Sequence, residues 1–170
     1  GGTINVVTKK PQFSPQGYVK ASIGNFETKR VEFDYTNKLN DSIAFRINGA
    51  YKDSGSFRDS ITTEKLDLTP SLLFLIPNKT SLNYKLEILD QKTPFDRGIV
   101  AIDLNPKVVN VENFYGEPQD GPIKIRATGH QFLLQHDLND DWAVLAGIGY
   151  RQSSFEGFSS ETELSGGRQI

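Results

Sequence analysis

Cysteine is missing from this chain of 170 residues, so neither a disulfide nor a thiolate metal site can form within it. That absence does not fix the compartment. An excess of one charge is missing too: the formal net charge is -2, with acids and bases mixed. Without a basic footprint, nucleic acid is not an expected partner. Long apolar runs are absent, and the longest candidate, Leu72 to Ile76, falls far short of the roughly 18 residues of a membrane helix. No signal peptide is legible. Low overall hydrophobicity leaves a membrane barrel open, because only every second strand residue has to face lipid. Histidine is scarce: His130 and His136 lie on one expected strand, about 20 Å of rise apart, too far to share a metal ion. No serine, histidine and carboxylate grouping or carboxylate pair stands out from turn chemistry, so no enzyme, metal site or cofactor is expected.

What is present is alternation. Val31, Phe33 and Tyr35 are separated by Arg30, Glu32, Asp34 and Thr36; Ile43, Phe45, Ile47 and Tyr51 are separated by Ala44, Arg46 and Asn48, with Lys52 beyond. Side chains in a strand point to opposite faces with period two, so each arm has an apolar and a polar face. Asn40-Asp41-Ser42 joins the arms in a tight turn. Each arm is about ten residues long, roughly one tilted membrane crossing. The unit repeats. Ile4, Val6 and Thr8 suggest a short strand ended by Pro11, and another runs from Tyr18 to Gly24. Leu66, Leu68, Leu72, Phe74 and Ile76 mark a strand in which Pro70 predicts a kink or bulge. Beyond a turn at Pro77-Asn78-Lys79-Thr80, Leu82, Tyr84, Leu86 and Ile88 alternate with polar residues. The period then stops from about Gln91 to Lys124, a loop of a length that is usually functional. It resumes with Phe132, Leu134 and Leu138, turns at Asn139-Asp140-Asp141, and continues through Trp142, Val144, Ala146, Ile148 and Tyr150. From Ser153 the chain reads as a polar loop.

Connections near Asn40, Asn78 and Asp140 are minimal, whereas those opening at Ser54, Gln91 and Ser153 are long; the short one near Asn25 breaks this rule. Short turns on one side and long loops on the other is how outer-membrane barrels are built, with the short turns periplasmic. Leu39 to Ala44 is echoed by Leu138 to Ala143. The expected fold is all-β: an antiparallel up-and-down transmembrane β-barrel, of which about seven strands are present. A small self-contained barrel or sandwich acting as a binding module is the alternative.

GGTINVVTKKP at the start resembles the end of the plug domain in TonB-dependent siderophore receptors. TPFDRGIVAID (Thr93 to Asp103) and NFYGEPQDG (Asn113 to Gly121) are similar to an extracellular loop of that family. The resemblance spans essentially the whole chain. It implies a plugged barrel of about 22 strands that imports ferric siderophores with energy from the TonB complex. On this reading residues 1–11 are the last plug strand and linker, and residues 12–170 the N-terminal part of the barrel. The implied setting is the outer membrane of a Gram-negative bacterium, with outer-membrane lipid, a ferric siderophore and the TonB complex as partners. Cargo of another kind (haem, cobalamin or a glycan) is the variant of this reading. The stretch lacks a TonB box and most of a plug, so it is expected to be a piece that does not transport alone.

Phe95, Asp96, Arg97, Phe114 and Tyr115 are the candidate ligand-binding residues of the extracellular loop. Arginine suits anionic oxygens and aromatic rings suit flat chelate faces. The competing reading pairs Asp96 with Arg97 to shape the loop, the aromatics packing beneath it. Phe57, Arg58 and Asp59 are weaker candidates of the same kind. Tyr35, Tyr51, Phe74, Tyr84, Trp142 and Tyr150 are expected in interface girdles. Lys20, Arg30, Glu32, Asp34, Arg46, Lys85 and Glu87 are expected to face a hydrated lumen.

Overall fold

The computed structural model describes residues 1–4, 8–77, 79–99, 108–160, 164–165 and 168–169. Val6, Asn78 and the stretch 100–103 of the first loop tract lie outside these. The alternating segments form β1 (Gln16–Ile23), β2 (Lys29–Asn40), β3 (Ile43–Ser54), β4 (Thr63–Leu68), β5 (Ser71–Ile76), β6 (Thr80–Thr93), β7 (Ile123–Asp137) and β8 (Ala143–Glu156). They make one antiparallel sheet in the order β1-β2-β3-β4-β6-β7-β8, with β5 between β3 and β6. Two short strands, β9 (Leu164–Ser165) and β10 (Arg168–Gln169), pair with each other. Each long strand pairs with its neighbours in sequence, the meander expected of an up-and-down wall.

β4 and β5 are one crossing interrupted at Pro70. Gly49 pairs with Leu68 and Arg46 with Ser71, so three residues separate the pairs on both strands and the register is kept. Thr69 still donates to the Asn48 carbonyl and Leu86 to the Pro70 carbonyl, both at 2.9 Å. Only the amide proline lacks is lost, giving an interruption rather than a bulge. From Leu66 to Ile76 the outward side chains span about 33 Å of strand, which at a barrel tilt of about 40° is roughly the 25 Å of an outer-membrane apolar band.

The register also fixes how that band runs. One row of paired residues reads Ile23, Lys29, Asp53, Glu64, Lys92, Lys124, Glu156. The uppermost apolar residue on the outward face is Ile23 on β1, then Val31, Tyr51 and Leu66, then Ile88, Phe132 and Tyr150. The boundary thus starts on the row at β1 and lies six residues below it at Tyr150 on β8. That is a fall of about 20 Å over six strand spacings of about 4.8 Å, a slope near 35°. Strands of a membrane barrel tilt by about 35–45°, so a boundary inclined this much to the pairing rows lies level in a membrane.

This slope corrects two expected boundaries. β7 begins at Ile123, well before the alternation seen at Phe132, and β8 runs to Glu156 rather than ending before Ser153. The outward residues of those upper segments, Lys124, Arg126, Thr128 and His130 on β7 and Gln152, Ser154 and Glu156 on β8, are polar. Above the band on β7 the period continues with its phase inverted: Lys124, Arg126 and Thr128 face outward and are exposed, while Ile123 and Ala127 face inward and are buried, so the strand does not continue the outward apolar pattern of Phe132 and Leu134. The charges pair with each other: Lys92 with Glu64 at 3.0 Å and Arg126 with Asp90 at 3.3 Å. Tyr51 and Tyr150 sit at the boundary as expected, but Tyr84 lies within the band. Its hydroxyl is 2.9 Å from His130 Nδ1, and His136 Nδ1 is 2.7 Å from Thr80 Oγ1, so neither histidine is unpartnered.

The short turns close locally. Asn40 Oδ1 accepts from the Ser42 amide at 2.8 Å, and Asn139 Oδ1 from the Asp141 and Trp142 amides at 2.9 Å, so the sequence echo is a geometric one. Lys38 hydrogen-bonds Asp41 at 2.8 Å, and that bond, with the charge behind it, holds the exposed carboxyl below its ordinary range. The turn after β5 is tight, with Ile76 paired to Thr80.

Candidate ligand site at the long-loop end

The polar face of the wall carries Lys20, Arg30, Glu32, Asp34, Arg46, Lys85 and Glu87 together. At its centre Arg46 grips Asp34 with Nε at 2.7 Å and Nη2 at 2.6 Å, a two-pronged pair of buried residues. The chain before β1 is fastened across it. Lys9 Nζ reaches Asp34 Oδ2 at 2.6 Å, Arg46 Nη1 donates to the Lys10 carbonyl at 3.1 Å, and the Gln12 amide donates to buried Thr36 Oγ1 at 2.8 Å. Residues 1–4 and 8–15 carry no strand; residues 8–12 use the wall's polar side chains in place of a ladder. Farther along this face a hollow is lined by Lys85, Glu87, Gly129, Gln131 and Arg151, with Arg151 bonded to Glu87 at 2.8 Å.

At the other end from the short turns, the loops of residues 55–62 and 94–122 meet. Phe95, Asp96 and Arg97 rise directly from the top of β6, and Phe114 and Tyr115 lie on the far flank of the same long loop. Arg97 packs over the Phe95 ring, 5.0 Å from its centre, and that ring is exposed. Phe114 folds over Gly116: a Cβ at that glycine would lie 2.4 Å from the tip of the ring, so only the bare backbone admits it. Tyr115 accepts from Asn113 Nδ2 at 3.2 Å. Asp96 ties its own loop by accepting from the Gly98 amide at 2.8 Å.

The partner that Asp96 holds across loops is Arg58, with Nε to Oδ2 at 3.0 Å. Arg58 also donates to the Asn113 carbonyl at 3.4 Å, and the neighbouring Asp59 amide donates to the Glu112 carbonyl at 2.8 Å. Its side chain is only 14% exposed. The five candidate residues therefore come together in two groups, one on each flank, with Arg58 between them. In the sequence Arg58 stands out only alongside Phe57 and Asp59, and no local signal links it to residues so far along the chain. The first two loops are joined as well, through the Gly55 amide and the Phe26 carbonyl at 2.8 Å.

No protein-family model matches the chain. Among curated proteins, the metal-pseudopaline receptor CntO of Pseudomonas aeruginosa (strain UCBPP-PA14) is 33% identical over 163 residues, covering 95% of this chain and 23% of the receptor. The ferrioxamine receptor of Yersinia enterocolitica is 26% identical over 158 residues, covering 91% and 22%. The chain thus spans about a quarter of the length of the curated relatives it matches. In three dimensions the ferric-catecholate import receptor Fiu of E. coli K12, in its closed form, superposes with a TM-score of 0.85 at 20% identity, over 97% of this chain and 25% of that one. At that identity the likeness is one of fold. The chain is thus similar in sequence to a metal-pseudopaline receptor and a ferrioxamine receptor along nearly its whole length, and its sheet follows the fold of a stretch of the Fiu receptor.

Proposed function

We propose that the chain forms part of an outer-membrane receptor that binds a ferric-siderophore complex at its outer loops and imports it with energy from the TonB complex. The observation that carries this reading is the 33% identity to a metal-pseudopaline receptor along 95% of the chain. The wall supports it: an apolar outward band, level at a barrel's tilt, backs a face rich in charge that suits a hydrated, plug-filled interior. Residues 1–11 are the last of the plug and its linker, and residues 12–170 the first part of the barrel; the fastening of Lys9, Lys10 and Gln12 to the polar face suits a segment leading from the interior into the wall. The setting is the outer membrane of a Gram-negative bacterium, with the short turns on the periplasmic side. The partners are lipid, a ferric siderophore and the TonB complex, the last through parts beyond this stretch.

Within the loops, Phe95, Arg97, Phe114 and Tyr115 offer rings and a cation to an anionic chelate, and Asp96 acts through Arg58. The test uses the full-length protein in its own membrane. Deleting its gene is expected to abolish uptake of at least one ferric siderophore from a panel of hydroxamate and catecholate complexes under iron limitation, and the purified receptor is expected to bind that complex. Unchanged uptake of every complex, with no binding, would contradict the reading.

A further inference from the structure

The long loop presents its candidate groups from two flanks, and one side chain from a different loop touches both. Arg58 meets the first flank through the Asp96 carboxylate at 3.0 Å and the second through the Asn113 carbonyl at 3.4 Å. Asp96 stands between Phe95 and Arg97, and Asn113 directly precedes Phe114 and Tyr115. The Asp59 amide on the Glu112 carbonyl adds a second fastening on that flank. A guanidinium is suited to this task. Its donors form a rigid planar fork, so one group satisfies two acceptors in different directions at little further loss of freedom. A lysine carries a single point charge on a flexible stem and does not hold the same two directions.

We propose that Arg58 is a positioning residue for ligand recognition: it joins the Phe95–Arg97 flank to the Phe114–Tyr115 flank so that both face one ligand. This rests on the receptor reading above. Arg58 itself is mostly covered and its charge is spent on Asp96, so it acts through the loop and does not touch the ligand. Preorganisation of this kind is expressed as affinity, because ordering the loop on binding would otherwise oppose it.

The test compares full-length wild-type receptor with Arg58→Ala, Arg58→Lys and the charge exchange Arg58→Asp with Asp96→Arg. The probes are ferrioxamine B and the ferric complex of 2,3-dihydroxybenzoate, titrated separately. Spin labels at Ile99 and Glu117 report the distance between the flanks without any ligand. The expected result is at least tenfold weaker binding of whichever probe wild type binds in Arg58→Ala, and a smaller loss in Arg58→Lys. The exchange should recover part of the affinity. The spin-label distance should broaden in Arg58→Ala while the thermal unfolding of the barrel stays where it was, separating positioning from general damage. Wild-type affinity with an unchanged distance in Arg58→Ala would overturn the proposal. If wild type binds neither probe, the receptor reading fails for these ligand classes, and the distance measurement alone decides whether Arg58 joins the flanks: an unchanged distribution overturns that too.

Discussion

The two ends of this sheet are closed in opposite ways. At the short-turn end, Asn40 and Asn139 bond amides two or three residues ahead, so these turns close through their own residues, with an exposed Lys79–Asp140 pair tying two turns together. At the long-loop end, closure runs between distant segments: Arg58 to a carbonyl 55 positions on, and the Ser160 amide to Asp120 across 40. The inner wall resembles the second kind, with Arg46 reaching the Lys10 carbonyl across 36 positions. A turn that closes on itself needs only its own few residues, so it can be short and repeated. Loops closed by remote partners can be reshaped together, which is what a site selecting among ligands requires.

The contrast predicts that buried long-range fastenings cost more to remove than local ones, and that exposed ion pairs cost least whatever their separation. The largest effect is expected at the wall. Arg46→Ala leaves the buried Asp34 carboxylate with Lys9 alone and should destabilise the full-length barrel by about 3 kcal/mol, read as a lower unfolding temperature. Gly49→Val comes next. A Cβ there would lie 2.5 Å from a Leu68 methyl and 2.8 Å from the Asp67 carbonyl, so β3 and β4 must part slightly, at about 1–3 kcal/mol by the same assay. Asn139→Ala removes two bonds of a single turn and should cost about 1 kcal/mol. Its signature is faster amide exchange at Asp141 and Trp142, with ligand affinity unchanged. Least of all, Lys79→Ala removes an exposed pair with Asp140 at 3.0 Å and should change stability by no more than about 0.5 kcal/mol. If Asn139→Ala proved as damaging as Arg46→Ala, the distinction between the two kinds of closure would be wrong.

How much could be read beforehand follows the same division. The seven crossings were legible because, within the apolar band, lipid and lumen demand opposite side chains at successive positions, as Leu82 to Ile88 display. Pro70 kept its place in the alternation, so β4 and β5 read correctly as one strand. The upper half of β7 does not read as part of the same strand, because its apolar residues Ile123, Ile125 and Ala127 lie on the inward face, opposite to Phe132 and Leu134, and the alternation changes phase. The Asn40 and Asn139 turns were legible since their bonding is local. Arg58 and the anchor made by Asp34, Arg46 and Thr36 were not, because pairing across tens of residues leaves no period. The candidate residues are named from residue type and loop alone, and their grouping into two flanks is visible only once the loops are folded.

The outward face of this wall is expected to meet lipid up to a boundary that slopes across the strands. β8 tests it most directly, since the boundary falls within it. Single cysteines carrying spin labels at positions 144 to 156 of the full-length receptor in lipid would be compared for access to oxygen, which partitions into the bilayer, and to a water-soluble relaxing agent. Val144, Ala146, Ile148 and Tyr150 are predicted to favour oxygen, Gln152, Ser154 and Glu156 to favour the aqueous agent, and the intervening positions to show no lipid contact. Oxygen preference continuing to Glu156, or appearing at Leu145, Gly147 and Gly149 instead, would contradict the account.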